Sequence, residues 1–90
     1  MLPFAVVEHP HVVVDAFGSP MVKKSRVAVR RLWQWHRKGV SVETLVKRYP
    51  SLSWADVLDA LSFAYDNEEL VEADLDRERA LVHHEPIEAK

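Results

Sequence analysis

The stretch Ser41-Val42-Glu43-Thr44-Leu45-Val46-Lys47-Arg48-Tyr49-Pro50-Ser51-Leu52-Ser53-Trp54-Ala55-Asp56-Val57-Leu58, running on to Tyr65, decides the fold. It reads as a helix, a turn at residues 49–52 and a second helix. Pro50 has no amide proton and pushes Tyr49 away from helical dihedrals, so a helix from Val42 must stop there. Ser53 then offers its hydroxyl to the free amides of the next helix. Asp56, three residues on, can reach back to the Ser53 amide in a shortened capping box. A connection of about four residues suits a helix-turn-helix.

Around this unit the chain has room for one small domain, residues 1–90. A core of that size is marginal alone, and association would help it. The absence of cysteine excludes a disulfide framework, a thiolate metal site and a thiol nucleophile, and fits a reducing cytoplasm. The opening Met1–Val7 is apolar but has no basic leader and runs at once into Glu8 and His9, so neither a signal peptide nor a membrane span is expected. The formal net charge of −2 conceals an asymmetry: residues 1–48 hold nine bases against three acids, and residues 49–90 hold three bases against eleven acids. The first half can face a polyanion and the second cannot, unless the two are merely segregated solvated faces.

In chain order, Val12-Val13-Val14 and the β-branched residues after the break at Phe17-Gly18-Ser19-Pro20 predict two short strands, His11–Asp15 and Met21–Lys24. The run Phe4–Val7 offers a third strand or a swapped arm. A lone hairpin must pack on the helices or pair with a second chain. A first helix runs from Val29 to Lys38 and ends at Gly39. Val29, Leu32, Trp33 and His36 share its inner face, Arg30, Gln34, Arg37 and Lys38 its outer one, and Arg31 and Trp35 lie between. The next helix buries Val42, Leu45, Val46 and Tyr49, with Ser41 as its cap. In the third, Trp54, Val57, Leu58, Leu61, Ala64 and Tyr65 form the expected buried stripe, leaving Asp56, Asp59, Ser62 and Asp66 in water. An acidic fourth helix is expected over Asn67–Val82, followed by a frayed tail from His83. The fold class is therefore mainly α: a small N-terminal β-hairpin followed by a three- to four-helix helix-turn-helix.

A recognition helix normally presents Arg, Lys, Asn or Gln to base edges, and the third helix has no basic residue. DNA contacts would have to come from Lys23, Lys24, Arg26, Arg30 and Arg31, with Lys47 and Arg48 beside the turn and Ser51 and Ser53 at the positive end of the third helix. The alternative is a helix-turn-helix used only for packing. Candidate partner contacts are Trp35, the more exposed tryptophan by pattern, and Leu70, Val71, Leu75 and Leu81, a thin apolar stripe on the acidic helix.

Catalysis is not expected. His83-His84 with Glu85 is a poor metal cluster, since adjacent helical residues point about 100° apart; His36 reads as a half-buried helix residue, and His9 and His11 as surface residues. There is no Gly-rich phosphate loop and no paired nucleophile and base. No metal or other cofactor is implied.

Residues 11–65 resemble the small bacterial domain-of-unknown-function family 433. The chain supplies Val14-Asp15, Gly18-Ser19-Pro20, Ser25-Arg26-Val27-Ala28-Val29, Gly39-Val40-Ser41-Val42-Glu43, Tyr49-Pro50-Ser51-Leu52-Ser53, Asp56-Val57 and Ala60-Leu61 in the family's order. Lys24 stands where the family usually has Gly, and Asp15-Ala16 where Asp-Pro is common. The resemblance implies a homeodomain-like helix-turn-helix behind a hairpin, often a homodimer. It further implies an antitoxin of a type II toxin–antitoxin pair, neutralising a PIN-type ribonuclease toxin and binding operator DNA. The acidic C-terminal segment of the sequence itself adds the hypothesis that the acids of residues 68–78 engage a basic or metal-dependent toxin site. The competing expectation is a dimeric protein–protein interaction module, joined through the hairpin and Trp35, that never touches nucleic acid.

Overall fold

The computed structural model describes residues 8–88, with side chains through Leu81. A two-stranded antiparallel hairpin, β1 (Val12–Val14) and β2 (Pro20–Val22), precedes four helices: α1 (Val29–Arg37), α2 (Val42–Arg48), α3 (Trp54–Asp66) and α4 (Glu68–Glu88). Val12 pairs with Val22, Val13 with Met21 and Val14 with Pro20. The run Phe4–Val7 lies outside the described residues.

Local chemistry fixes each boundary. At the hairpin loop, Asp15 accepts from the Phe17 and Ser19 amides, both at 2.9 Å, and Gly18 supplies a φ of 84°. After β2 the chain makes a second tight excursion. Ser25 donates its hydroxyl to the Val22 carbonyl at 2.8 Å and accepts from the Val27 amide at 3.0 Å, while the Val22 amide donates to the Val27 carbonyl at 2.9 Å. Lys23, Lys24 and Arg26 are exposed on this loop, and Lys24 has the left-handed φ of 63° that a glycine would adopt freely. Helix α1 ends at Gly39, whose φ of 92° makes it the left-handed terminating residue. Ser41 caps α2 by accepting from the Thr44 amide at 3.1 Å. At α3 the full capping box forms: the Asp56 amide donates to Ser53 Oγ at 3.0 Å and the Ser53 amide to Asp56 Oδ2 at 2.9 Å. Leu52 and Val57, flanking the cap, both enter the core, at the positions of a hydrophobic staple.

The core is built from Val22, Val29, Leu32, Trp33, Leu45, Leu52, Val57, Ala60, Leu61, Ala64 and Val71. Three expectations are corrected. Trp54, Leu58 and Tyr65 are about half exposed, because the buried face runs through Ala60 beside the expected Val57, Leu61 and Ala64. The buried stripe of α3 is thereby rotated by about 50° from the expected one, at about 100° per residue. Val71 and Leu75 are buried, so these two candidate partner residues are occupied by the chain's own α1 and α3 side; Leu70 and Leu81 remain exposed. Helix α4 also continues to Glu88 instead of ending at Val82: no glycine follows Val82 to terminate it, and Pro86, which lacks an amide proton, forfeits a single ladder bond near the helix end. Among the described residues, no helix is long and apolar enough to cross a membrane.

Candidate nucleic-acid interface

Of the three acidic residues of α3, Asp66 is exposed and two are drawn off the outer surface. Asp56 and Asp59 are half-buried against the segment that leads into β1. His11 donates from Nδ1 to Asp56 Oδ1 at 2.7 Å, and its amide donates to Asp59 Oδ2 at 2.8 Å. His9 lies between Asp59, at 3.1 Å from Nδ1, and Asp66, at 2.9 Å from Nε2, with its ring edge-on to Phe63 at 5.4 Å. A carboxylate only accepts, so both bonds form together when both imidazole nitrogens carry a proton. The Asp56 carboxyl is held below its ordinary value, chiefly by the Ser53 amide and further by His11, against an opposing effect of burial. The two histidines, expected at the surface, thus clasp α3 and draw Asp56 and Asp59 inward, while Asp66 stays exposed. Trp54, Ala55, Leu58 and Ser62 are left as an uncharged exposed strip.

The sequence-derived cations divide into two groups. Lys23, Lys24, Arg26, Lys47 and Arg48 are exposed, as are Arg37 and Lys38. Lys47 has a solvent-exposed contact with Glu43 at 3.5 Å. Arg48 lies over the Trp35 ring at 4.5 Å and Lys38 at 5.7 Å. Trp35 is half-buried, and its Nε1 donates to the Tyr49 hydroxyl at 3.2 Å, so it is less available to a partner than its spacing suggested. Ser51 is exposed in the turn, and the Ser53 hydroxyl serves the α3 cap.

Arg30 and Arg31 face α4 instead. Arg30 donates to Asp74 Oδ2 at 2.8 Å and its Nε lies 3.3 Å from Glu78 Oε1, without hydrogen-bond geometry there. Arg31 meets Glu78 Oε2 at 2.8 Å and Gln34 at 3.0 Å. Asp74, 2 % exposed, also accepts from the Ser19 hydroxyl at 2.7 Å and from Arg77. Burial pushes its carboxyl up, but Ser19, Arg30 and Arg77 together hold it below the ordinary value. Burial likewise disfavours the Arg30 charge, and Asp74 and Glu78 outweigh it, raising the guanidinium pKa. One further acid of α4, Glu72, accepts from Trp33 Nε1 at 2.7 Å. This network was not legible from spacing. It required knowing that α4 folds back on α1, and the only hint was the opposite charge of the two segments.

Beside it lies an open groove of about 460 Å³ whose lining includes Phe17, Met21 and Leu81 above Arg30, Asp74 and Arg77. Among the described residues no group of three or more His, Asp or Glu could hold a metal ion.

Comparison with curated proteins and with solved structures finds no match. The family described as "Protein of unknown function (DUF433)" matches over residues 15–64, which takes in the hairpin loop, the basic excursion, α1, α2 and nearly all of α3. With more than half of its length matched, the chain belongs to the DUF433 family.

Proposed function

We propose that this protein binds DNA through α2, the turn and α3, assisted by the loop of Lys23, Lys24 and Arg26, and that it is the antitoxin of a toxin–antitoxin pair whose toxin is a PIN-type ribonuclease. It acts by binding, not catalysis. The observation that carries the reading is the inward turn of Asp56 and Asp59 toward His9 and His11. It turns two of the three α3 carboxylates off the outer face, which weakens the objection that an acidic helix would repel phosphate, and leaves an uncharged strip that follows Lys47 and Arg48 across the turn. Operator binding then depends on five exposed sequence-derived cations, Arg30 and Arg31 being held by α4. The toxin side rests on the exposed acids of α4, among them Glu68, Glu69 and Asp76, which would suit a basic surface.

The test is fluorescence anisotropy of a labelled duplex from the upstream region of the coding sequence. Affinity should fall by about two to three orders of magnitude between roughly 50 and 200 mM salt if about five phosphates are engaged. Absence of binding at the lower salt, with the protein folded, overturns the DNA reading. For the toxin, Glu68→Lys, Glu69→Lys and Asp76→Lys together should abolish co-purification with the neighbouring ribonuclease while preserving the fold. Removal of α4 altogether is a poorer experiment, because it strips Val71 from the core.

A second reading, a protein–protein module that avoids nucleic acid, is favoured by one observation: Trp54 and Leu58 expose apolar surface on the helix that would meet DNA.

A further inference from the structure

The uncharged strip on α3 constrains what that helix can recognise. In a helix-turn-helix the first turns of the second helix meet the base edges. Here those turns expose Trp54, Ala55, Leu58 and Ser62. Guanine is read in the major groove by Arg or Lys and adenine by Asn or Gln, in each case through paired hydrogen bonds. None of these residues stands on the strip, and the two nearby carboxylates that could accept from cytosine are held by His9 and His11. Ser62 can bond to several base edges and so discriminates little; the discriminating base-pair feature that remains is apolar: the C5-methyl group of thymine, which packs against aliphatic and aromatic side chains.

We propose that α3 reads thymine methyl groups, with Leu58 and Trp54 as the contacting side chains, so that the preferred ligand is A·T-rich duplex DNA. This rests on the DNA-binding reading above. Charge complementarity favours a nucleic acid over an apolar protein surface as the occupant. Lys47 and Arg48 enter the turn immediately before α3, and the Arg48 guanidinium is held over Trp35, a position that limits the freedom it would lose on meeting a phosphate.

The test uses the full chain and labelled duplexes at roughly 50 mM salt, where phosphate contacts hold the complex together. The probes are an A·T-rich duplex, the same duplex with deoxyuridine for every thymidine, a G·C duplex, and that G·C duplex with 5-methylcytosine. Deoxyuridine keeps every hydrogen-bonding edge and removes only the methyl group. Loss of two or three buried methyl contacts should weaken binding by about ten- to fiftyfold. 5-Methylcytosine should tighten binding to the G·C duplex, because it places a methyl at the same ring position. Leu58→Ala, at a half-exposed site whose truncation spares the core, should shrink the thymidine-to-deoxyuridine ratio and leave the salt dependence unchanged. Equal affinity for the thymidine and deoxyuridine duplexes overturns the inference and leaves DNA binding intact. A ratio unmoved by Leu58→Ala overturns it too. Binding to none of the duplexes overturns both the inference and the DNA reading, and assigns the strip to a protein partner.

Discussion

Arg30 and Arg31 on α1, and Lys23, Lys24 and Arg26 on the loop just before it, belong to one basic segment and have opposite fates. The arginines are drawn onto α4, where Asp74 and Glu78 take up their charge. The loop residues are exposed, and among the described residues none of them makes an ion pair. The difference lies in what each backbone position faces. Residues 30 and 31 stand on a helix packed against an acidic helix, whereas residues 23–26 sit on an excursion closed by Ser25 and the Val22–Val27 hydrogen bond. Segment charge counts the charges available; packing decides which of them a ligand can meet.

The strongest way to break this contrast is to remove the acceptor that holds Arg30. Asp74→Ala leaves a guanidinium that is mostly buried with Glu78 alone and removes the acceptor of the Ser19 hydroxyl, loosening the hairpin loop from α4. Truncating one member of such a network should cost about 2–3 kcal/mol, below the full cost of breaking a buried pair because Glu78 remains. Urea denaturation measures it, and a loss under about 0.5 kcal/mol would show that α4 is held by its other contacts, Val71, Leu75, the Trp33–Glu72 bond and Glu78. The same carboxylate sets a pH dependence. Its folded pKa lies below the unfolded one, so its contribution is fully present above the ordinary carboxylate value and disappears as pH falls through the folded value. The melting temperature should therefore fall below about pH 4, and Asp74→Asn should flatten that decline.

A smaller effect is expected at the other acidic helix, where histidines take the place of arginines. His9→Ala removes two bonds to Asp59 and Asp66 and the edge-on contact with Phe63, partly exposed interactions worth about 1 kcal/mol together. Removing the clasp also returns uncompensated carboxylates to α3, so DNA affinity should drop alongside stability. In His11→Ala the Asp56 carboxyl should rise yet stay below its ordinary value, since the Ser53 amide is the larger cause of its depression. A side-chain carbonyl NMR titration resolves this; complete return to the ordinary value would mean that the capping box depends on His11.

The elements were legible where local chemistry dictates them: Pro50 and the Ser53–Asp56 pair for the turn, Gly39 for the end of α1, and the valines for the hairpin. The α3 stripe misled because size was taken for burial: Ala64 fits the expected stripe, but Ala60 joins it in the core while the larger Trp54, Leu58 and Tyr65 do not. Of the candidate site, the exposed loop and turn cations could be read from sequence. The His9–Asp59 and Arg30–Asp74 contacts could not, because each joins residues more than forty positions apart and nothing local specifies such pairings.

Lys24 gives the finest test, since fold and ligand pull on it in opposite directions. Its φ of 63° lies where an L side chain crowds its own backbone, at a cost of about 1 kcal/mol or more, while glycine adopts it freely but loses more chain entropy on folding. The balance predicts that Lys24→Gly stabilises the protein by roughly 0.5 kcal/mol. If the exposed side chain reaches a phosphate, the same substitution should weaken DNA binding and lower the slope of log affinity against log salt by about 0.9. Arg30→Ala should show the reverse pattern, losing stability while keeping the salt slope. A Lys24→Gly protein that is more stable and binds with an unchanged slope would place the loop away from the DNA, leaving Lys47 and Arg48 to carry the phosphate contacts.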